Sequence, residues 1–437
     1  MAKVAILTNF MEFNPGYSLT GIVQDQVRML HRYDHEVNLY VNQHFNPHNW
    51  PPGLDGLCTI HQKVPFAHLT DYQSKKDISS EHQMTAKATG AMLQEELHGV
   101  DYVFTHDWVF TGWNLPYAEG IRLANENLPE VRWFHWVHSI PSANRDWWRI
   151  REYGPTHKLV YPNRTDALRC AEQFHGALSD VRVLHHIKDL RTFHEFSPET
   201  CALIDQVPGV IGAQIVQLLP ASVDRLFAKR VDQVIKIFGW LKKMTGSVCL
   251  VVAAQWATGK QQKESLAPYK ALAAQAGLKV GQEVVFTCDL DPRWEIGIPK
   301  RMVRELFACS NLFIFPTREE SFGLVVPEAA LAGCLLVLNK SLDMQAEIAG
   351  GPQRAIFFDF GSYTRQWNPP ADADKYWHDV AAIIIGRMQR DESLMAKIWA
   401  RTRYNWDTLY TEEYLPAMME AGGWGMRESN AAAGRRA

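Results

Sequence analysis

Two carboxylates eight positions apart enclose a short glycine-containing stretch of this chain. The stretch reads ESFGLVVPE over residues 320–328, so Glu320 opens it and Glu328 closes it. Carboxylates accept hydrogen bonds from the hydroxyls of a sugar or ribose, and free backbone amides can bind phosphate oxygens. The combination predicts a site for a sugar nucleotide.

The flanking residues place this stretch on a strand–loop–helix connection. Residues 312–315, LFIF, predict a short buried strand that Pro316 ends, and from Pro327 onward apolar residues recur at helical spacing. Glu320 is then expected in the loop and Glu328 in the first helical turn, beside amides at a helix N-terminus. A surface loop with two solvated carboxylates is the simpler alternative, but it does not explain the surrounding pattern.

The stretch resembles the Glu-x7-Glu signature of glycosyltransferase family 4. The likeness includes the Phe-Gly pair at 322–323 and the alanine-rich tail that ends at Gly333; it covers most of the chain and is strongest over residues 215–348. The resemblance implies the α/β GT-B fold, with two Rossmann-like parallel-sheet domains and an interdomain cleft. It also implies a retaining glycosyltransferase that moves a hexosyl or pentosyl unit from a UDP- or GDP-sugar to an acceptor hydroxyl.

The resemblance assigns roles within the stretch. Glu328 would bind the ribose hydroxyls, and Glu320 would contact the donor sugar. The amides of Phe322, Gly323 and Leu324 would approach the sugar and the phosphates, and a glycine in the middle avoids a side chain that would push the ligand away.

A basic segment, RLFAKR over residues 225–230, resembles the family's loop that holds the donor diphosphate. Arg225 and Lys229 would stabilise the negative charge that a departing nucleoside diphosphate gains. The spacing is one residue shorter than usual in the family, so Arg230 is the alternative to Lys229. A solvated basic helix start is the simpler explanation, but cations there oppose the helix dipole.

The N-terminal half offers candidate residues at the ends of predicted strands. His138, in a His-x-x-Pro-like turn that ends at Pro141, matches a His near the reacting sugar in the family; a structural His at a strand end is the alternative. For His106 and Asp107, functional and structural roles are equally supported. Gly16, with Gly21 in the same predicted loop, is a candidate for binding the sugar-nucleotide donor. The family often has adjacent glycines in this loop, so the spacing here leaves the geometry of the acceptor side open.

Strands alternating with helices predict two tandem α/β domains. The predicted first domain covers residues 1–193 and is completed by a C-terminal helix at 405–428. Residues 194–213, with two Pro and two Gly, predict a linker or insertion, and residues 214–404 form the predicted nucleotide-sugar domain. A length of 437 residues suits two such domains.

Composition excludes several other classes. The net charge of −3 does not indicate nucleic-acid or anionic-membrane binding, and no apolar run is long enough to cross a bilayer. The seven scattered Cys residues predict reduced thiols in a cytoplasmic protein, not a disulfide framework or a zinc site.

No tightly bound cofactor and no metal are predicted, because Arg225 and Lys229 supply positive charge at the diphosphate. The two Asp-x-Asp segments, at 289–291 and 372–374, lie in Pro-flanked irregular stretches. A sugar-nucleotide epimerase and a non-catalytic sugar-nucleotide-binding protein remain alternatives. The acceptor is open among a glycan, a lipid carrier, a metabolite and, less favoured, a modified DNA base.

Overall fold

The computed structural model of the protein describes residues 1–51, 53–67, 75–109, 114–139, 149–365 and 372–420. The chain divides into two compact units. Unit 1 comprises Met1–Lys188 and the chain from Trp406 onward, and unit 2 comprises Asp189–Asn405.

Unit 1 is built on a parallel sheet in the order β3-β2-β1-β4-β5-β6-β7. Its strands are β1 Lys3–Leu7, β2 Glu36–Asn42, β3 Thr59–Val64, β4 Tyr102–His106, β5 Arg132–Trp136, β6 His157–Tyr161 and β7 Val181–Val183. Four consecutive residues of β1, Val4–Leu7, are fully buried, as expected for a parallel strand with both faces covered. The strand order reverses direction between β1 and β4, and in such sheets ligands bind outside the carboxyl ends of the strands at that point.

Helices accompany this sheet. They are α1 Ser18–Arg32, α2 Ser80–Glu96, α3 Leu115–Asn125 and α4 Ala167–Gln173. The chain returns to unit 1 through α17 Trp406–Leu409, a π-helical turn at Tyr410–Tyr414 and α18 Leu415–Met419. The part of the predicted C-terminal helix beyond residue 420 lies outside the described residues.

Unit 2 contains two parallel three-stranded ladders, in the orders β10-β9-β8 and β11-β12-β13. The strands are β8 Ile215–Ser222, β9 Val248–Gln255, β10 Val284–Phe286, β11 Leu312–Phe315, β12 Leu335–Asn339 and β13 Ile356–Phe358. The helices are α5 Leu190–Phe193, α6 Pro198–Gln206, α7 Gly209–Gly212, α8 Val231–Thr245, α9 Lys260–Glu264, α10 Ala267–Gln275, α11 Thr287–Leu290, α12 Lys300–Cys309, α13 Val325–Leu331, α14 Asp343–Ile348, α15 Ala373–Met388 and α16 Glu392–Arg403.

Polar side chains join the two ladders along the seam between β8 and β11. The amide of Gln217 donates to the Ile314 carbonyl and accepts from the Ile314 N–H, both at 2.9 Å. Asn311 accepts from the Val216 N–H at 2.9 Å and donates its own N–H to the Val216 carbonyl at 3.0 Å. These bonds satisfy buried backbone groups that a regular ladder would otherwise pair. The effective order is β10-β9-β8-β11-β12-β13, so the direction of strand order reverses at this seam.

The predicted fold class, with two α/β domains built on parallel sheets, is confirmed. The segment 194–213 was predicted as a linker or an insertion, and the structure assigns it to unit 2. It contains α6 and α7, whose Leu203, Ile204 and Val210 are buried in the core of unit 2. The Pro and Gly residues of this segment lie at the ends of these short helices, since Pro198 occupies the first position of α6 and Gly209 and Gly212 are the first and last residues of α7.

A buried carboxylate fixes α6 to α12. Glu305 is 3% exposed and accepts hydrogen bonds from the Ser197 hydroxyl at 2.7 Å, the Thr200 hydroxyl at 2.5 Å and Arg301 Nε at 2.7 Å. Burial alone would raise the pKa of Glu305, but the bonds from Thr200, Ser197 and Arg301 lower it from 4.5 to about 2. The charged form therefore stabilises the folded state.

We expect Glu305→Gln to lower the free energy of unfolding by about 1–3 kcal/mol at neutral pH, because it weakens hydrogen bonds to a buried charge. The folded-state pKa is depressed, so this stabilisation is present above the ordinary carboxyl pKa and is lost as pH falls towards about 2. Urea unfolding of both proteins from pH 7 downward measures the difference. Glu264→Gln, on the exposed face of α9, is the control. A Glu305→Gln difference that does not change with pH would contradict this account.

All seven Cys residues are free thiols, five of them buried. Within the described ranges, no helix has the length and apolar character needed to cross a membrane.

Candidate functional site

The two segments singled out for the diphosphate and the sugar follow the two strands that flank the seam of unit 2. The segment that we call the basic loop, residues 223–230, connects β8 to α8. The signature loop, residues 316–324, connects β11 to α13. β8 and β11 lie side by side at the seam, and each loop follows the carboxyl end of a strand in a parallel ladder, where ligands bind in sheets of this type.

The two loops are hydrogen-bonded to each other. The Arg318 N–H donates to the Ala228 carbonyl at 2.8 Å, and the Thr317 hydroxyl bonds the Ala228 and Glu319 carbonyls at 3.4 and 2.7 Å. Thr317 is fully buried. The relative position of the basic and signature loops is therefore set by backbone contacts.

Lys229 and Glu320 form the central ion pair of this region. Lys229 Nζ lies 2.5 Å from Glu320 Oε2 and 4.9 Å from the centre of the Phe315 ring, and both charged side chains are less than one-fifth exposed. Burial alone would raise the pKa of Glu320, but the hydrogen bond and charge of Lys229 and the Ser321 N–H hold it below its ordinary value. Glu320 is therefore a carboxylate at neutral pH, and it holds Lys229 at the signature loop.

Gly323 allows the signature loop to turn beside Glu320. Its φ of +75° lies in the left-handed region, and a Cβ on it would lie 3.1 Å from Glu320 Cγ. A side chain at this position would be strained and would press on the carboxylate. This local crowding is a second reason for a glycine, besides the approach of a ligand.

Arg225 forms a second ion pair between the two loops. Its guanidinium donates to Glu319 at 2.6 Å, and both side chains are nearly half exposed. Because the pair is exposed, its contribution to stability is small and a stronger anion can replace Glu319. Glu319 was not singled out in the sequence, although its position directly before Glu320 was a usable signal.

Arg230 lies apart from the Lys229–Glu320 pair. It adopts a left-handed conformation, with φ 52°, directly before α8. Burial and the nearby charge of Arg318 lower its pKa. Between the two candidates in the basic loop, the structure therefore brings Lys229 to Glu320, and it brings Arg230 towards Arg318.

Arg318 is a further cation of the signature loop, and it was not predicted from the sequence. Its guanidinium lies 4.9 Å from the centre of the Phe227 ring and 4.6 Å from that of Tyr363, so it is held between two exposed aromatic side chains. It directly precedes Glu319 in the signature loop. Its position in the sequence, directly before Glu319 and Glu320, could have identified it as a candidate.

The remaining predicted residues of unit 2 are on the surface. Phe322 is 48% exposed and Leu324 is 69% exposed. Glu328 lies on the exposed face of α13 and forms no ion pair within the described part of the chain. The structure thus brings Lys229, Glu320 and Gly323 together, whereas it shows no contact between this group and Glu328.

In unit 1, the predicted histidines lie at the carboxyl ends of neighbouring strands. His106 ends β4 and His138 follows β5, and His106 Nδ1 lies 3.0 Å from His138 Nε2. Burial lowers the pKa of His138 to about 3, and burial also lowers that of His106. Both rings are therefore neutral at physiological pH. Pro141, which completed the predicted turn, lies outside the described residues.

The first loop of unit 1 lies near the same edge. Gly16 donates its N–H to the Asn14 side chain at 2.9 Å, and the following Tyr17 bonds the Asp107 carboxylate at 3.2 Å. Asp107 has a positive φ of 57°, and burial raises its pKa. Gly21 lies inside α1, not in the loop where it was expected. The sequence therefore located the loop correctly at Gly16 but extended it too far.

The described ranges contain no group of three or more His, Cys, Asp or Glu side chains that could hold a metal ion.

One family model matches a part of unit 2. Residues 218–365, about a third of the chain, match the family model described as glycosyl transferases group 1, and this segment contains both the basic loop and the signature loop. No curated protein matches the chain.

Solved structures of low sequence identity align over nearly the whole chain. A glycosyltransferase from Rickettsia africae is 12% identical, with 96% of this chain and 99% of that chain covered and a TM-score of 0.38. WaaG, a glycosyltransferase involved in lipopolysaccharide biosynthesis, is 17% identical, with coverage of 96% and 100% and a TM-score of 0.31. HepE from Anabaena, in complex with UDP and glucose, is 13% identical, with coverage of 94% and 98% and a TM-score of 0.31.

These TM-scores are too low to place individual residues of the site, so the family match over unit 2 is the informative comparison. Residues 218–365 are similar to the glycosyl transferases of group 1, and glycosyl transfer is the activity that this similarity supports.

Proposed function

We propose that the protein is a retaining glycosyltransferase that moves a hexosyl or pentosyl unit from a UDP- or GDP-sugar to an acceptor hydroxyl. The observation that carries this proposal is the Lys229–Glu320 pair, which joins the basic loop to the signature loop at the carboxyl edge of the unit 2 sheet. A cation suited to a diphosphate and a carboxylate suited to sugar hydroxyls are thereby held side by side.

The donor would lie along these two loops. Lys229 and Arg225 would bind the diphosphate, which displaces Glu319 from the exposed Arg225 pair. Glu320 would accept hydrogen bonds from the sugar hydroxyls, and Glu328 would accept them from the ribose. The amides of Phe322, Gly323 and Leu324 would complete the site. Lys229 is already fixed by Glu320 and Phe315, so little reorganisation is needed as charge develops.

The reaction would proceed on one face of the sugar. The bond between the anomeric carbon and the diphosphate oxygen breaks, and a bond from the acceptor oxygen forms on the same face. The leaving phosphate oxygen takes the acceptor's proton, while Lys229 and Arg225 stabilise the diphosphate. No resident metal is required for this charge balance, because the two side chains supply it.

Unit 1 would supply the acceptor side, with His138 near the reacting sugar and Gly16 in the first loop. A pKa of about 3 makes the His138 ring a weak base, so it would orient a hydroxyl and not remove its proton. The proposal includes a cytoplasmic location. It leaves the acceptor open among a glycan, a lipid carrier, a metabolite and, less favoured, a modified DNA base.

A transfer assay with a panel of UDP- and GDP-sugars, read by mass spectrometry against pooled acceptors, tests the function. We expect a product whose mass has increased by one glycosyl unit, and no such product with Lys229→Met. Conversion of the donor alone to an epimer would establish an epimerase instead. Donor binding without any turnover would establish a non-catalytic binding protein.

A further inference from the structure

A chain of hydrogen bonds crosses unit 1 and ends on His138. Tyr414, in the π-helical turn, bonds the backbone carbonyl of His185 at 3.5 Å, and Gln26 Nε2 lies 3.4 Å from the Tyr414 hydroxyl. Gln26 Oε1 lies 2.8 Å from His106 Nε2, and His106 Nδ1 lies 3.0 Å from His138 Nε2. The members come from α1, the ends of β4 and β5, and the returning C-terminal segment.

The orientation of the Gln26 amide sets the direction of the remaining bonds. Its Nε2 group faces the Tyr414 hydroxyl and donates to it, and its Oε1 faces His106 Nε2 at 2.8 Å. An amide oxygen only accepts, so His106 carries its proton on Nε2, and its Nδ1 is a lone-pair acceptor.

The same logic fixes the proton on His138. His106 Nδ1 accepts, so His138 must donate from Nε2. A neutral ring has one N–H, so His138 Nδ1 then carries a lone pair. Within the described part of the chain, this nitrogen forms no hydrogen bond, and the side chain is only partly buried.

Packing keeps these groups in place. Gln26 is 1% exposed, His106 is 1% exposed and Tyr414 is fully buried. The buried Trp136 ring stacks on His106 with centres 5.1 Å apart, and the His186 ring stacks on His138 with centres 5.4 Å apart. A flip of either His ring would place a carbon where a hydrogen-bonding nitrogen now lies.

We infer that Gln26 and His106 are positioning residues that hold His138 as the Nε2–H tautomer, so that its Nδ1 accepts a hydrogen bond from a substrate hydroxyl. The tautomer follows from the geometry alone, whereas its use in orienting a substrate rests on the proposed function. Burial, which lowers the pKa of His138 to about 3, keeps the ring neutral over the physiological range. His138 would therefore select hydroxyl donors and would not act as a general base.

Nitrogen-15 NMR of the full-length protein with labelled histidine tests the tautomer directly. Resonances are assigned to His138 by their loss in His138→Gln. We expect a protonated-type signal for Nε2 and a lone-pair-type signal for Nδ1 in the wild type at neutral pH. The opposite pattern, or a protonated ring, would overturn the inference, and this readout needs neither activity nor a stable Gln26 variant.

Gln26→Met removes the amide while keeping a side chain of similar length. We expect the His138 signals to shift towards a mixture of tautomers and kcat/KM for transfer to fall about tenfold, the cost of one misplaced hydrogen bond. The matched control is Asn125→Leu, which breaks a separate buried chain through His157 and His135. It should lower thermal stability without changing the His138 signals or kcat/KM.

The positioning of His138 by Gln26 and the proposed glycosyl transfer can fail independently of each other. An unchanged His138 spectrum in a folded Gln26→Met protein would overturn the positioning role. If the tautomer is as inferred but no donor is ever turned over, the proposed function fails while the hydrogen-bond chain stands.

Discussion

Replacing Lys229 with Met is expected to lower kcat for glycosyl transfer by about two to three orders of magnitude, the range for loss of one preorganised electrostatic partner. Lys229 is held by Glu320 at 2.5 Å and by the Phe315 ring, so its charge is in place before the diphosphate departs. Methionine preserves the apolar stem and removes only the charge. Steady-state kinetics with a saturating donor measure the effect.

Lys236→Met is the control, because it removes the same charge on the neighbouring α8, where Lys236 lies near Trp377 and Asp232. It should leave kcat unchanged. If Arg230→Leu lowers kcat by this amount and Lys229→Met does not, Arg230 is the diphosphate ligand and the assignment within the basic loop is wrong.

The second large effect is expected at the two glutamates. Glu320→Gln should lower kcat by about tenfold to a thousandfold, because it weakens both the contact to the sugar and the pair that positions Lys229. Glu328→Gln should mainly raise KM for the donor, by about tenfold, since ribose contacts exist before and during the reaction. Initial rates over a range of donor concentrations separate the two effects.

Each glutamate variant is the control for the other, since both remove one carboxylate from the same segment. Normal kinetics in both would reduce the signature to a structural feature. A kcat effect at Glu328 with only a KM effect at Glu320 would reverse the assigned roles.

Much of the fold was predictable from local pattern. The short apolar runs that became β1, β4, β5, β8 and β11 are buried parallel strands bounded by Gly, Pro or polar residues, and such runs are strong strand signals. By contrast, the helices α6 and α7 were not predicted within the segment 194–213. Their stability comes from tertiary contacts, namely burial in the unit 2 core and the Ser197 and Thr200 bonds to Glu305, which no local pattern shows.

The sequence predicted which two loops form the candidate site in unit 2. Sequence placed Glu320 after β11 and the cations after β8, because the order of the elements fixes which loops share a sheet edge. It could not show that Lys229 and not Arg230 turns towards Glu320, since this depends on the left-handed backbone at Arg230. The hydrogen-bond chain through Gln26 and Tyr414 was also beyond prediction, because it joins residues 388 positions apart.

The most direct test of the central claim is the configuration of the transferred sugar. An anomer-resolved proton NMR spectrum of the first-formed product, recorded with excess chelator present, decides it. We expect transfer to continue and the product to keep the anomeric configuration of the donor, because the leaving phosphate takes the acceptor's proton on the same face and Lys229 and Arg225 supply the positive charge. Clean inversion would contradict the account, since it requires a base acting from the opposite face of the sugar.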